Sequence, residues 1–142
     1  MAREIVTEAQ YRRLLRIRSG LRQFLRWSEE QARHAGLTGP QHQLLLAVKG
    51  HADPRGPTIG DIAEYLVLKH HSAVGLIDRA DRSGLVVRRA DPDDHRVVRL
   101  RLTAKGERSL AKLSALHLEE LARLAPEMSS VWQDLGSSKP HP

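Results

Sequence analysis

The sequence predicts a mostly helical α+β protein: a winged helix-turn-helix with longer N- and C-terminal helices on either side. Three observations carry this. Two short helical segments with helix-turn-helix spacing occupy residues 58–83. Two β-patterned runs follow, joined by the charged segment Asp91-Pro92-Asp93-Asp94-His95-Arg96. A new helical pattern opens directly afterwards, at Leu102-Thr103-Ala104-Lys105-Gly106. A charged hairpin tip that rejoins a helix forms a wing beside the helix pair.

Residues 7–35 read as the first helix. Tyr11, Leu14, Leu15, Leu21, Phe24, Leu25 and Ser28 recur at three- and four-residue steps, and Gly36 stops it. Thr38-Gly39-Pro40 opens a second helix, with proline suited to the first turn. Its block Leu44 to Val48 is dominated by leucine and alanine, which favours a buried helix over a strand. Residues 50–57, rich in Gly and Pro, form a loop. Thr58 caps a third helix to Leu66, with Asp61 three residues on as a capping-box partner. Val67-Leu68 is the turn. The fourth helix runs from about His70 to Ser83, with Gly84 at C′. Ala73, Ile77 and Ala80 make its inner stripe; His71, Ser72, Gly75, Asp78, Arg79 and Arg82 make the outer one. Residues 85–89 and 97–102 read as paired strands. Thr103 caps a long last helix with a stripe of Leu110, Leu113, Leu121, Leu124 and Met128, and Pro126 is expected to end or kink it.

The chain has 142 residues and a formal charge of +6, a balance that favours a polyanionic partner. Residues 58–102 nevertheless carry 8 basic and 7 acidic side chains, so their cations must be concentrated at particular points. Cysteine is absent, which excludes disulfides and thiolate metal sites. There is no apolar signal region and no apolar run of membrane-spanning length, so a cytoplasmic protein without a membrane partner is expected. A Gly-rich phosphate loop, a nucleophile elbow and a cysteine nucleophile are all missing. No catalytic residue and no cofactor are therefore assigned, and the chain is not read as an enzyme. Eight histidines raise the alternative of a zinc-responsive DNA-binding regulator, but no His-x₃-His pair supports it and no metal ligand is assigned. The other alternative is a winged-helix protein-interaction module without DNA binding.

The chemistry points to duplex DNA. The major groove admits one helix, whose first residues reach base edges. Here these are Lys69, His70, His71 and Ser72, with Gly75 and Arg79 one to two turns later. Gly75 costs roughly 1 kcal/mol against alanine in a helix interior, a cost that close approach to a DNA backbone would explain as well as drift on an exposed face does. In the wing, Arg96 is the residue for the minor groove, whose negative potential deepens where it narrows. His95 lies beside it. Asp94, two residues from Arg96 and on the same face of an extended segment, can orient the guanidinium through a bidentate pair.

Three matches resemble the MarR family of winged-helix transcription regulators: Ile62-Ala63-Glu64-Tyr65-Leu66 before the turn, Leu76-Ile77-Asp78-Arg79 ahead of Ser83-Gly84-Leu85, and Asp94-His95-Arg96 with Leu102 to Gly106. The resemblance implies a homodimer that binds a pseudo-palindromic operator in double-stranded DNA, for repression, and that a small molecule releases, often a phenolic or other aromatic acid. It implies a helical dimerisation region at 1–36 and 103–135, a DNA-binding region at 37–102, and His34, His42 and His117 on segments bordering the ligand cleft. Residues 136–142 are expected to be a disordered tail. The apolar stripe supports dimerisation independently, with packing inside the protomer against the first helix as the rival use, and Leu110, Leu113, Leu121, Leu124, Val131, Trp132 and Leu135 are the expected interface. The chain departs from the family where Lys69-His70 replaces a serine cap followed by proline, which weakens the cap. Gly75 stands where longer polar residues are common, and the absence of cysteine excludes thiol-oxidation sensing.

Overall fold

The computed structural model describes residues 5–136, without the side chains of Trp132, Asp134 and Leu135. It runs α1 (Glu8–His34), α2 (Gly39–Gly50), α3 (Ile59–Leu66), α4 (His70–Arg82), β1 (Val86–Ala90), β2 (Val98–Leu102) and α5 (Ala104–Gly136). Two compact units result: residues 29–115, and the described residues of 1–28 and 116–142. The dividing points fall inside the long helices, not at residues 36 and 102.

Capping sets the element starts in the first unit. Thr58 Oγ1 accepts the Asp61 N–H at 3.1 Å, and Asp61 Oδ2 accepts the Thr58 N–H at 2.9 Å, so two helix donors are satisfied reciprocally. Thr38 and Gln41 form the same box at α2, a pairing that the Thr-x-x-Gln spacing could have announced. The helix-turn-helix turn is closed by Leu68 N–H on Ala63 O at 2.9 Å and Val67 N–H on Glu64 O at 3.2 Å. This places Val67 at φ 54°, the one described non-glycine residue in the left-handed region, an unfavourable position for a β-branched side chain. Gly84 takes φ 71° after α4, as its C′ position requires.

The core of this unit gathers one face from each element. Leu44 and Leu45 of α2, Ile62 of α3, Ala73, Ile77 and Ala80 of α4 and Leu100 of β2 are fully buried. Leu46, within the same apolar block, is 53% exposed. β1 and β2 pair antiparallel, with Arg88 opposite Leu100 and Ala90 opposite Val98. The 51–57 loop adds a third edge, since Thr58 bridges Arg99 and Leu100 N–H donates to Pro57 O at 2.9 Å.

Two expectations about the last helix change. Leu110 and Leu113 lie inside the winged-unit core, 3% and 1% exposed. Side chains so enclosed within one protomer have no area left to offer a partner. Pro126 does not end the helix, because α5 continues to Gly136. Pro126 is exposed, so the carbonyl its missing N–H leaves unpaired can meet water. In the helical unit, Val131 is buried at 5% and Leu121 is 46% exposed. His117 Nε2 lies 2.6 Å from Ser28 Oγ and stacks edge-on against Trp27 at 4.9 Å. The side chains of Trp132 and Leu135, and the expected tail from 137 on, lie outside the described residues.

Candidate nucleic-acid interface

α4 begins without a side-chain cap: Lys69 occupies the N-cap position and makes no capping hydrogen bond, as the Lys69-His70 replacement leads one to expect. The first-turn amides are therefore open to an acceptor from outside, and the helix dipole favours an anionic one. Lys69, His70, His71 and Arg79 are exposed, while Ser72 and Gly75 are half-buried. The structure brings Gly75 and Arg79 together. An Arg79 Nη1 lies 3.4 Å from where a Cβ on Gly75 would sit, so the guanidinium folds back over bare backbone one turn earlier.

The acidic groups on α4 share one basic partner. Arg88 of β1 reaches back and binds Asp78 and Asp81, the latter at 2.7 Å. It clamps the wing to the helix and offsets one of the two negative charges. Lys69, Arg79 and Arg82 make no ion pair among the described residues. A segment almost neutral in sum thus presents Lys69, Arg79 and Arg82 outward while most of its acids are engaged by groups of the same unit.

The wing tip has the expected form. Arg96 donates from Nε to Asp94 Oδ1 at 3.0 Å and from Nη2 to Oδ2 at 3.1 Å, and its side chain is 91% exposed. The backbone N–H of Arg96 also donates to Asp94 Oδ1 at 3.1 Å. These bonds hold the Asp94 carboxyl below its ordinary range, and the carboxylate raises the Arg96 pKa in return. His95 is exposed beside them.

Beneath the tip lies a network that sequence reasoning missed. Asp91 is 3% exposed. Its Oδ1 accepts the N–H groups of Asp93 at 2.8 Å and Asp94 at 3.1 Å, and its Oδ2 accepts Arg99 Nε at 2.6 Å. Arg99 also donates to Gly56 O at 2.9 Å. Arg55 pairs with Asp53 at 2.8 Å and Asp93 at 3.3 Å. The backbone donor from Asp93, then Arg99, hold the Asp91 carboxyl below its usual range. The Arg55 side chain holds Asp53 lower still. The Asp-Pro-Asp-Asp run was a local signal for Asp91, because aspartate readily accepts amides two and three residues on. Nothing local could have linked it to residues 53–56.

Residues 35–97, which span this helix-turn-helix and the wing tip, match the sequence profile of the MarR family. Over those residues the chain is similar to the MarR family. Among the proteins it resembles, the uncharacterized HTH-type transcriptional regulator YkoM of Bacillus subtilis (strain 168) is 36% identical over 81 residues, 56% of this chain and 53% of that protein. The chain spans about half the length of the curated relatives it matches. A MarR family protein from Bacillus stearothermophilus has the same fold, with a TM-score of 0.74 at 24% identity over 94% of this chain and 95% of that one. A variant of MepR from S. aureus bound to an oligodeoxyribonucleotide gives 0.66 at 20% identity over 90% and 96%. At these identities the likeness to the solved structures is one of fold. Among the described residues, no group of three or more His, Cys, Asp or Glu side chains is placed to hold a metal ion. No described helix is long and apolar enough to cross a membrane.

Proposed function

We propose that this chain is a MarR-family transcription regulator that binds double-stranded DNA sequence-specifically, as a homodimer on a pseudo-palindromic operator, acting as a repressor that a small molecule releases. One observation carries the DNA-binding reading. The winged unit engages most acids of residues 58–102 with its own groups, and projects the uncapped start of α4 beside Lys69, Arg79 and Arg82, unpaired among the described residues, and the exposed Arg96 oriented by Asp94. Lys69, His70, His71, Ser72 and Arg79 would meet the major groove, and Arg96 with His95 the minor groove. MepR, with the same fold, has been solved with an oligodeoxyribonucleotide.

Dimerisation is supported by apolar surface in the helical unit. Tyr11, Leu14, Leu15, Leu21 and Leu25 on α1 and Leu116, Leu118 and Leu121 on α5 are each more than a third exposed, a density of exposed leucine that marks a contact surface. Leu121 and Leu124 remain the interface residues of choice after Leu110, Leu113 and the equally buried Val131 are withdrawn. Release by a ligand is supported by a cavity of about 640 Å³ in the same unit, lined by Phe24, Trp27, Leu124, Met128, Arg16 and Arg123. The aromatic walls suit an aromatic ligand, and Arg16 is the cation for its acid group, since Arg123 is paired with Glu120 of the same lining.

The test is selection of duplexes from a randomised library by the purified chain, followed by fluorescence anisotropy at two salt concentrations. The expected result is an enriched inverted repeat with half-sites about one helical turn, roughly 10 base pairs, apart, bound less tightly as salt rises. No enrichment over the starting library would reject DNA reading. Leu121→Asp should convert the dimer to a folded monomer by sedimentation, because the side chain is 46% exposed in the protomer but would put an unpaired charge into the interface. A dimer of unchanged strength would remove Leu121 from it.

A further inference from the structure

We propose that Asp91 is the positioning residue of the wing: its buried carboxylate sets where Arg96 stands when the wing meets duplex DNA. The inference rests on the DNA-binding reading and deepens it. Asp91 touches no exposed surface, yet both of its oxygens are in use. Oδ1 gathers the N–H groups of Asp93 and Asp94, and Oδ2 takes Arg99 Nε. Its own N–H donates to Val97 O at 2.8 Å, and Val97 N–H donates to Asp94 O at 2.9 Å. The side chain of Asp91 thus ties residues 93 and 94 to β2, and its backbone closes the hairpin at Val97.

The anchor reaches beyond the hairpin. Arg99 is held by Gly56 O at 2.9 Å and lies 3.7 Å from Asp53, and Arg55 Nη1 lies 3.6 Å from Asp91. The 53–56 loop and the wing are therefore cross-linked through Asp91 and Arg99. Among the described residues Arg96, by contrast, is fastened only to Asp94, two residues away. That pair orients the guanidinium on the tip, but it cannot orient the tip on the protein; Asp91 does this. A wing lacking it would have to be ordered on binding, and that entropy would be subtracted from the Arg96 contact.

Asparagine at 91 keeps an acceptor for the two amides, but it loses the charge and turns an N–H donor toward Arg99. Asp91→Asn therefore tests the anchor while sparing the turn, and Asp91→Ala removes both. The experiment measures affinity for the duplex enriched by the wild-type chain, using wild type, Asp91→Asn, Asp91→Ala, Arg96→Ala and the double variants with Arg96→Ala. Helical signal and melting temperature are measured alongside. We expect Asp91→Asn to weaken binding about 3- to 10-fold, with no further loss beyond about 2-fold when Arg96 is already alanine. Independent folding damage would give losses that multiply, and that result overturns the proposal even if Asp91→Ala melts early. An affinity unchanged in Asp91→Asn also overturns it. If wild type enriches no duplex, the DNA-binding reading falls and takes this proposal with it; an enriched duplex with multiplying losses sinks the proposal alone.

Discussion

Gly56→Ala should destabilise the winged unit by about 3–5 kcal/mol, the sum of strain at a forced positive φ and of overpacking against rigid backbone. Gly56 sits at φ 91°, and a Cβ there would lie 2.2 Å from Leu100 O. The carbonyl cannot step aside. Leu100 is fully buried, its N–H is bonded to Pro57 O, and its strand is paired to β1. Either β2 shifts and carries the wing with it, or the 53–56 loop lifts and releases Arg99. Gly60→Ala is the control. Its Cβ would meet only Thr58 Oγ1, at 3.7 Å, and its backbone is helical, so thermal or urea unfolding should show no loss there. A Gly56→Ala protein as stable as wild type would mean that the loop does not brace the strand.

Arg96→Ala should weaken binding to the selected duplex by about 1–3 kcal/mol, roughly 5- to 150-fold, and reduce the salt slope by about one. Its melting temperature should not move. The side chain is 91% exposed and its partner Asp94 lies on the same turn, so the fold has little to lose. Arg96→Lys should recover only part of the affinity, because an ammonium keeps the charge but cannot make the two-pronged contact with Asp94 that aims it. Anisotropy titrations of the three proteins separate charge from geometry. Normal affinity in Arg96→Ala would place the wing away from DNA.

The features legible in the sequence are those set by short-range spacing. A Thr with an acid three residues on, a Gly just past a helix, and Asp94 and Arg96 two residues apart each specify a local geometry that the folded chain repeats. Those rules place the helix-turn-helix, the wing and its outward arginine. They do not reach the Asp91–Arg99–Arg55–Asp53 network, whose members are brought together from segments about forty residues apart. Nor do they reveal that Asp78 and Asp81 are occupied by Arg88.

The last helix shows the divide most clearly. Periodicity alone marked Leu110, Leu113 and Leu121 as one apolar stripe. The fold encloses the first two in the winged-unit core and leaves the third open. Amphipathicity belongs to a single segment and can be read along it, so the amino-acid order determined the elements, their apolar faces and the paired residues of the wing tip. Burial and ion pairing are relations between segments. Which leucines are covered, and which charges remain free to meet DNA, was therefore decided only when the elements packed.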